Sequence, residues 1–475
     1  MRCAFLLAFF LLPAAAVAAP PLPQGLQEEK KQEKKEGPAL PQGLKRPSSP
    51  PLPPGLGGET KEEAKENDFS ETNRLDISVT GFAELRAGLR LQDDANEKAA
   101  SIGEARFQLS LEKEFSFVTA TATADAVYDP VLNSHDVNLE AGNGWLDVRE
   151  ASLLMRPTDF ADVKVGRQIL TWGTGDLVFI NDMFPKDWNA FFIGRDTEYL
   201  KAPSDAAKLA LFSDIANLDI VYTPRFDADR FIDGRRVSYF NAALGGIAGR
   251  NAVVRVDRPD GWFDDDELAL RLYRNVGTAE VALYYYEGFW KSPAGQDTAS
   301  GLAVFPRLRT YGTSLRRPLF GGIVHTEVGF YDSLDDVDGT DPLVANSEFR
   351  LLAGFEREIA PEVTGAVQYY LEYLRGYNAY RASQPAGLPV RDMARHVVTA
   401  RLTKLAKNQA LTWSLFVYYS PSDRDAYLRP NVSYKFTDAW AVEAGANLFF
   451  GAQPHTFFGQ FEANSNIFAS IRHSF

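Results

Sequence analysis

The feature that most restricts what this chain can become is a two-residue alternation that begins after Asn73 and recurs to the last residue. Between Asp76 and Gln92, Ile77, Val79, Ala83, Leu85, Ala87, Leu89 and Leu91 share one parity, whereas Asp76, Glu84, Arg86 and Arg90 share the other. Successive side chains of an extended strand point to opposite faces, so one face is apolar and the other carries every charge. A helix would scatter those charges around its circumference. The pattern returns with Ala105, Phe107, Leu109 and Leu111 against Glu104, Arg106, Gln108 and Glu112. It returns again with Phe349, Leu351, Ala353 and Phe355 against Glu348, Arg350 and Glu356, and with Leu411, Trp413, Leu415, Val417 and Tyr419 against Thr412 and Ser414.

Eighteen segments follow this rule, with a margin of two: 75–92, 103–114, 117–128, 146–156, 161–170, 206–213, 217–224, 266–274, 277–288, 308–317, 321–332, 346–357, 361–374, 395–405, 409–419, 425–436, 440–449 and 460–475. Tight turns follow the even-numbered segments, and most odd-numbered ones are followed by long connections such as 129–145, 171–205 and 225–265. Such asymmetry suits a sheet running up and down between two different solvents. A soluble sandwich or propeller also alternates, so periodicity alone does not choose between them. The N-terminal segment helps to decide. Residues 1–19 read as a secretory signal, with Arg2 ahead of the apolar run Ala4 to Leu12 and the small residues Ala16, Val17 and Ala18 at the cleavage position. No later stretch offers the roughly 18 to 20 unbroken apolar residues that a spanning helix needs.

Residues 20–73 change character. This segment is rich in Pro, Lys and Glu and poor in aromatic residues, which predicts a disordered linker. It repeats a short motif at Leu22 to Leu26, Leu40 to Leu44 and Leu52 to Leu56. Two roles fit it: a solvated spacer, or a docking motif for a periplasmic or cell-wall partner. Eight basic residues oppose nine acidic ones in 20–68, so the net charge of −13 belongs to the body of the chain, and nucleic acid is not expected as a partner. The single cysteine, Cys3, lies within the signal, which leaves the exported chain without a disulfide or a thiolate metal site.

The expectation is an all-β fold: a single transmembrane antiparallel up-and-down barrel over residues 74–475, of about 18 strands (16–18). Bilayer hydrocarbon cannot satisfy a strand edge, so the sheet must close. The apolar parity then faces lipid, and the charged parity surrounds water. Candidate aromatic girdles are Trp413, Trp440, Tyr284 to Tyr286, Tyr369, Tyr373, Tyr434, Phe449 and Phe450.

At the chain end, Ile467, Ala469, Ile471, His473 and Phe475 alternate and finish on an aromatic residue. Here the sequence resembles Gram-negative outer-membrane proteins, although His473 departs from the usual apolar residue. The resemblance implies that Phe475 is read by the barrel assembly machinery, and that outer-membrane lipids and lipopolysaccharide surround the barrel. The stretch Gly166-Arg167-Gln168 through Trp172-Gly173, Asp176 and Pro185-Lys186-Asp187 is similar to one in barrels related to the alginate-export and porin families. Those exporters have arginine-rich interiors, whereas the charges here are mixed.

A bore of this size stays aqueous, which points to a porin-like channel for small polar or charged solutes. Parity places Arg86, Arg90, Arg106, Arg271, Arg309, Arg350, Arg401 and Arg429 in the lumen, with Glu84, Glu104, Glu327 and Glu348. Such charges either set a transverse field or pair to stiffen the wall. The segment 171–205 is expected to fold inward and constrict the pore, with Trp172, Phe184 and Trp188 on the wall and Asp176, Asn181, Asp182 and Asp187 at the opening; a rim cap is the other arrangement. The five histidines show no spacing to a nucleophile or a metal motif, so no enzyme, metal or cofactor is expected. The alternative functions are an outer-membrane anchor that binds a periplasmic partner through its linker, and an outer-membrane hydrolase.

Overall fold

The computed structural model describes residues 77–475 apart from Asn133. The expected signal and linker lie outside the described residues.

Eighteen strands form one antiparallel sheet. The first seven are β1 (Ser78–Arg90), β2 (Ala100–Glu114), β3 (Val118–Tyr128), β4 (Leu146–Thr158), β5 (Ala161–Ile169), β6 (Pro203–Leu211) and β7 (Asn217–Thr223). The next six are β8 (Glu267–Val276), β9 (Ala279–Phe289), β10 (Arg307–Leu319), β11 (Gly322–Ser333), β12 (Glu348–Ala360) and β13 (Val363–Leu374). The last five are β14 (Ala394–Ala406), β15 (Leu411–Ser420), β16 (Asp425–Lys435), β17 (Trp440–Gly451) and β18 (Asn466–Ser474). Each strand pairs with its neighbours in sequence, and β1 pairs with β18 from Phe82↔Ser474 to Arg90↔Asn466, which closes the barrel. No helix among the described residues is long and apolar enough to cross a membrane.

Closure is fastened at the chain end. Gly81 and Phe475 exchange backbone hydrogen bonds of 3.0 Å, and the Phe475 ring stacks on Phe107 at 5.8 Å. Gly81 is required there, because a Cβ at this position would run into the backbone carbonyl oxygen of Gln108 on β2 and sit 2.8 Å from the Phe475 ring.

The two parities separate as the alternation predicts. Leu85, Leu89, Phe107, Leu153, Leu283, Val367, Leu402, Trp413, Phe450 and Ile467 are exposed on the outer face, while Glu84, Arg86, Glu104, Arg106, Glu327 and Glu348 are buried inside. Among the expected girdle residues, Trp413, Trp440, Tyr369, Tyr373 and Phe450 face outward. Tyr284, Tyr286 and Phe449 instead face inward, because consecutive aromatic residues must alternate sides. Arg309 is also corrected. Leu308 and Thr310 point into the barrel, so Arg309 lies on the outer face, where it pairs with Glu287 at 2.8 Å between Tyr285 and Tyr311.

The nine connections on the side away from the chain ends include all the long ones. Five of them carry short structure: helix α1 (Trp188–Ile193) between β5 and β6, a hairpin of Tyr239–Asn241 with Gly246–Ala248 between β7 and β8, a pair of two-residue strands (Gly295–Gln296 and Ala303–Val304) between β9 and β10, helix α2 (Tyr377–Ser383) between β13 and β14, and a 3-10 turn (Gly459–Asn464) between β17 and β18. The main apolar core lies inside the barrel, where the loop residues Ile180, Phe184, Phe191 and Phe192 pack on the inward side chains Leu308, Tyr331, Leu352, Tyr427 and Phe449.

Candidate functional site: the bore and the loop that enters it

The connection from β5 to β6 turns into the barrel and forms two lobes joined at a neck. At the neck, Asp187 donates its amide to the Leu200 carbonyl at 2.7 Å, and Ala202 donates to the Pro185 carbonyl at 3.0 Å. Residues 171–184 make the first lobe, and residues 188–199 make the second.

The first lobe lies along β9 to β15. Its anchor is the buried carboxylate of Glu327 on β11, which is 1% exposed. That group accepts hydrogen bonds from the Thr174 amide, from Thr174 Oγ1 at 2.9 Å and from the Gly175 amide at 2.8 Å; Asn181 donates its amide at 3.2 Å and Nδ2 at 2.9 Å. Five donors converging on one carboxylate hold the backbone of the lobe in a single path. Gly312 on β10 and Gly329 on β11 are cross-strand partners. Together they open a socket in the wall: a Cβ at 312 would coincide with Asn181 Oδ1, and one at 329 would lie 2.6 Å from the Ile180 side chain. Further along, the Asp176 amide donates to Gln368 at 2.8 Å, the Asp176 carboxylate pairs with Arg401 at 2.8 Å, and Tyr418 donates its hydroxyl to the Leu177 carbonyl at 2.8 Å. Trp172 meets Phe184 edge-on at 4.9 Å.

The second lobe lies along β16 to β18 and β1 to β4. Asp187 is the N-cap of α1, accepting from the Ala190 amide at 2.7 Å, which satisfies a donor at the helix start. Gly194 closes the helix in a left-handed conformation, φ 88°. Phe191 and Phe192 pack on Tyr427 and Phe449, and the Phe192 carbonyl accepts from Asn466 at 3.0 Å. Arg86 donates to the Gly194 carbonyl at 2.6 Å, Arg195 pairs with Glu104 at 2.7 Å, and Tyr199 donates to Asp125 at 2.9 Å.

A second connection, from β7 to β8, enters the barrel and clamps the neck. Arg230 reaches across to β4, where it binds Asp147 in two-pronged fashion at 2.7 and 2.9 Å, and it also meets Asp187 at 3.5 Å. Its carbonyl accepts the Trp188 amide at 3.1 Å, and Asp229 accepts Trp188 Nε1 at 3.0 Å.

Three expected opening residues are therefore elsewhere. Asp182 is buried against Thr171 at 2.8 Å and Lys186 at 3.1 Å, and Asp187 is buried beneath Arg230. Both serve the internal fold of the loop, because a carboxylate this deep needs donors that open water does not supply. Asn181 is likewise sealed in its socket. Asp176, Trp172 and Trp188 keep partial contact with solvent.

The inward charges are mostly paired. Arg86 joins Glu84 at 2.9 Å and Glu443 at 2.6 Å; Arg106 joins Glu104 at 2.6 Å and also Asp125. Arg271 pairs with Glu280 at 2.9 Å, Arg350 with Glu348 at 2.8 Å, and Arg401 with Glu356 at 2.6 Å. Arg90 bonds only to carbonyls, among them those of Ala100 at 3.1 Å and Arg236 at 2.5 Å. Arg429 stacks on Phe191, 4.2 Å from its ring centre.

The inserted loops also carry a pH response. Burial, followed by the neighbouring Glu267, pushes the Asp227 carboxyl up to about 6. It accepts the Asp205 amide at 2.8 Å and Ser204 Oγ at 3.2 Å, and so tethers the second connection to β6. Between about pH 4 and 6 the folded loop keeps a proton that the unfolded chain has lost. Stability therefore falls as pH rises through this window and levels off above it. The slope should appear in urea midpoints of the wild-type chain and be smaller in Asp227→Asn; equal slopes in the two chains would remove Asp227 as the cause.

No family model matches the chain, and no curated protein matches it. Among solved structures it is similar to OpdO of Pseudomonas aeruginosa, at 12% identity and a TM-score of 0.49 over 84% of this chain and 96% of that one. It is similar to OccD3 (OpdP) of the same organism, at 10% identity and a TM-score of 0.47 over 84% and 91% of the two chains. OmpF of Salmonella typhi follows at 11% identity and a TM-score of 0.41 over 84% and 97%. These structures are Gram-negative outer-membrane porins, and a similarity to the alginate-export family is not shown.

Proposed function

We propose that the protein is an outer-membrane channel of a Gram-negative bacterium that lets small polar or charged solutes diffuse across the membrane. The observation that carries this reading is a closed sheet whose outer parity is apolar and whose inner parity is ionised. An exposed row of Leu, Phe, Val and Trp around a sealed cylinder is unfavourable in water and favourable in lipid. The inner charges suit a lumen that water reaches: Lys164 and Glu150 pair at 2.6 Å with side chains 30% and 24% exposed. The loop between β5 and β6 narrows the passage, and its two lobes determine what crosses.

Purified protein in a planar lipid bilayer should give stepwise ion currents. A bilayer that stays silent at every protein density, both with the folded wild-type barrel and with a folded barrel lacking residues 173–182, would overturn the channel reading.

A further inference from the structure

We propose that solutes cross the bore at the seam between the two lobes, and that this seam favours small molecules presenting an apolar or aromatic face over more strongly hydrated ones of similar size. This rests on the channel reading.

Each lobe is bolted to its own part of the wall: residues 171–184 through Glu327 and Gln368, residues 188–199 through Asn466 and Glu104. Among the described residues, no hydrogen bond or ion pair joins one lobe to the other. They meet where Phe179 packs edge-on against Trp188, with ring centres 6.2 Å apart. Phe179, Trp188, Leu177 and Val178 are only partly buried, whereas Ile180 and Phe192 behind them are sealed. Apart from Trp172, which packs on Phe184 and Tyr284, the partly buried hydrophobic side chains of the loop are the run Leu177 to Phe179 and Trp188, the residues on either side of this contact.

Parting the lobes there breaks no hydrogen bond and orphans no polar group. Parting either lobe from the wall would instead break hydrogen bonds, among them charge-assisted ones at Glu327, Arg401 and Glu104. A narrow apolar gap expels water and with it hydrated ions. A solute with an apolar face restores the contacts that water cannot, so it enters at lower cost.

The test compares phenylalanine with glutamine in proteoliposome swelling, since both are zwitterions and phenylalanine is the larger. Wild-type protein should admit phenylalanine several-fold faster. A Val178→Ser, Phe179→Ser variant should return entry to size order, glutamine first, and raise small-ion current several-fold in a planar bilayer. Leu177→Ser gives a second probe, and the far-UV β-sheet signal confirms that each variant is folded. Size-ordered entry in the wild type, or an unchanged preference in the folded variants, would overturn the seam. If excising residues 173–182 opens a current while wild type and the serine variant stay silent, the seam is overturned and the channel reading stands. If that excised chain is silent too, both fall.

Discussion

Glu327→Ala should free residues 171–184 from the wall and enlarge the unit conductance several-fold while the barrel stays closed. The carboxylate receives three backbone amides, from Thr174, Gly175 and Asn181, together with two side-chain donors. Each donor left buried without a partner costs about 1–3 kcal/mol, and with five affected the lobe regains more by moving into water than by staying in place. Gly312→Val should act in the same direction by a different force, since its side chain would occupy the volume that Asn181 fills. Agreement between a charge-removing and a space-filling variant would isolate undocking as the shared cause. Proteolysis supplies a readout independent of current: both variants should be nicked within 171–184 when wild type is not. Folded variants with wild-type conductance and protease resistance would show that the Glu327 anchor does not hold the lobe.

Arg230→Met should cost about 3–5 kcal/mol in unfolding free energy, the range for removing one member of a buried ion pair. The guanidinium sits between Asp147 on β4 and Asp187 at the neck, with its side chain 2% exposed. Without it, two buried carboxylates face each other with no cation between them. Arg230→Lys should recover only part of the loss, because an ammonium cannot reproduce the two-pronged contact with Asp147. Adding Asp147→Leu to Arg230→Met should restore stability relative to the single variant. Urea unfolding in lipid vesicles measures all three. A loss below about 1 kcal/mol, the level of an exposed pair, would mean that water reaches the clamp.

Much of the architecture was legible in the sequence because lipid, water and backbone pairing together leave few solutions. Segments expected at 217–224 and 361–374 are strands Asn217–Thr223 and Val363–Leu374. The last was overextended: 460–475 begins with a 3-10 turn over Gly459–Asn464, where Phe461 turns into the core instead of continuing the alternation. The interior was legible by parity and little further. Glu327 appears as one inward acid among several, and only the fold brings Thr174, some 150 residues away in the chain, onto its carboxylate. Tyr284 to Tyr286 carry no parity of their own, so their sides follow from strand register alone.

Periodicity is a local property, repeated every two residues, and it determined the strand count and the separation of oily from ionised faces; the closed sheet was legible only with the loop asymmetry and the two ends of the sequence read beside it. The path of the inserted loop was decided by tertiary structure, since its contacts follow no repeat. Asp182 and Asp187 look in sequence like any exposed loop acids, yet Lys186 and Arg230 draw them inward. Gly312 and Gly329 look like weak points in two strands, yet they become the socket for Ile180 and Asn181. Which groups meet inside a barrel depends on how far apart the wall places them, a distance set only when the last strand pairs with the first.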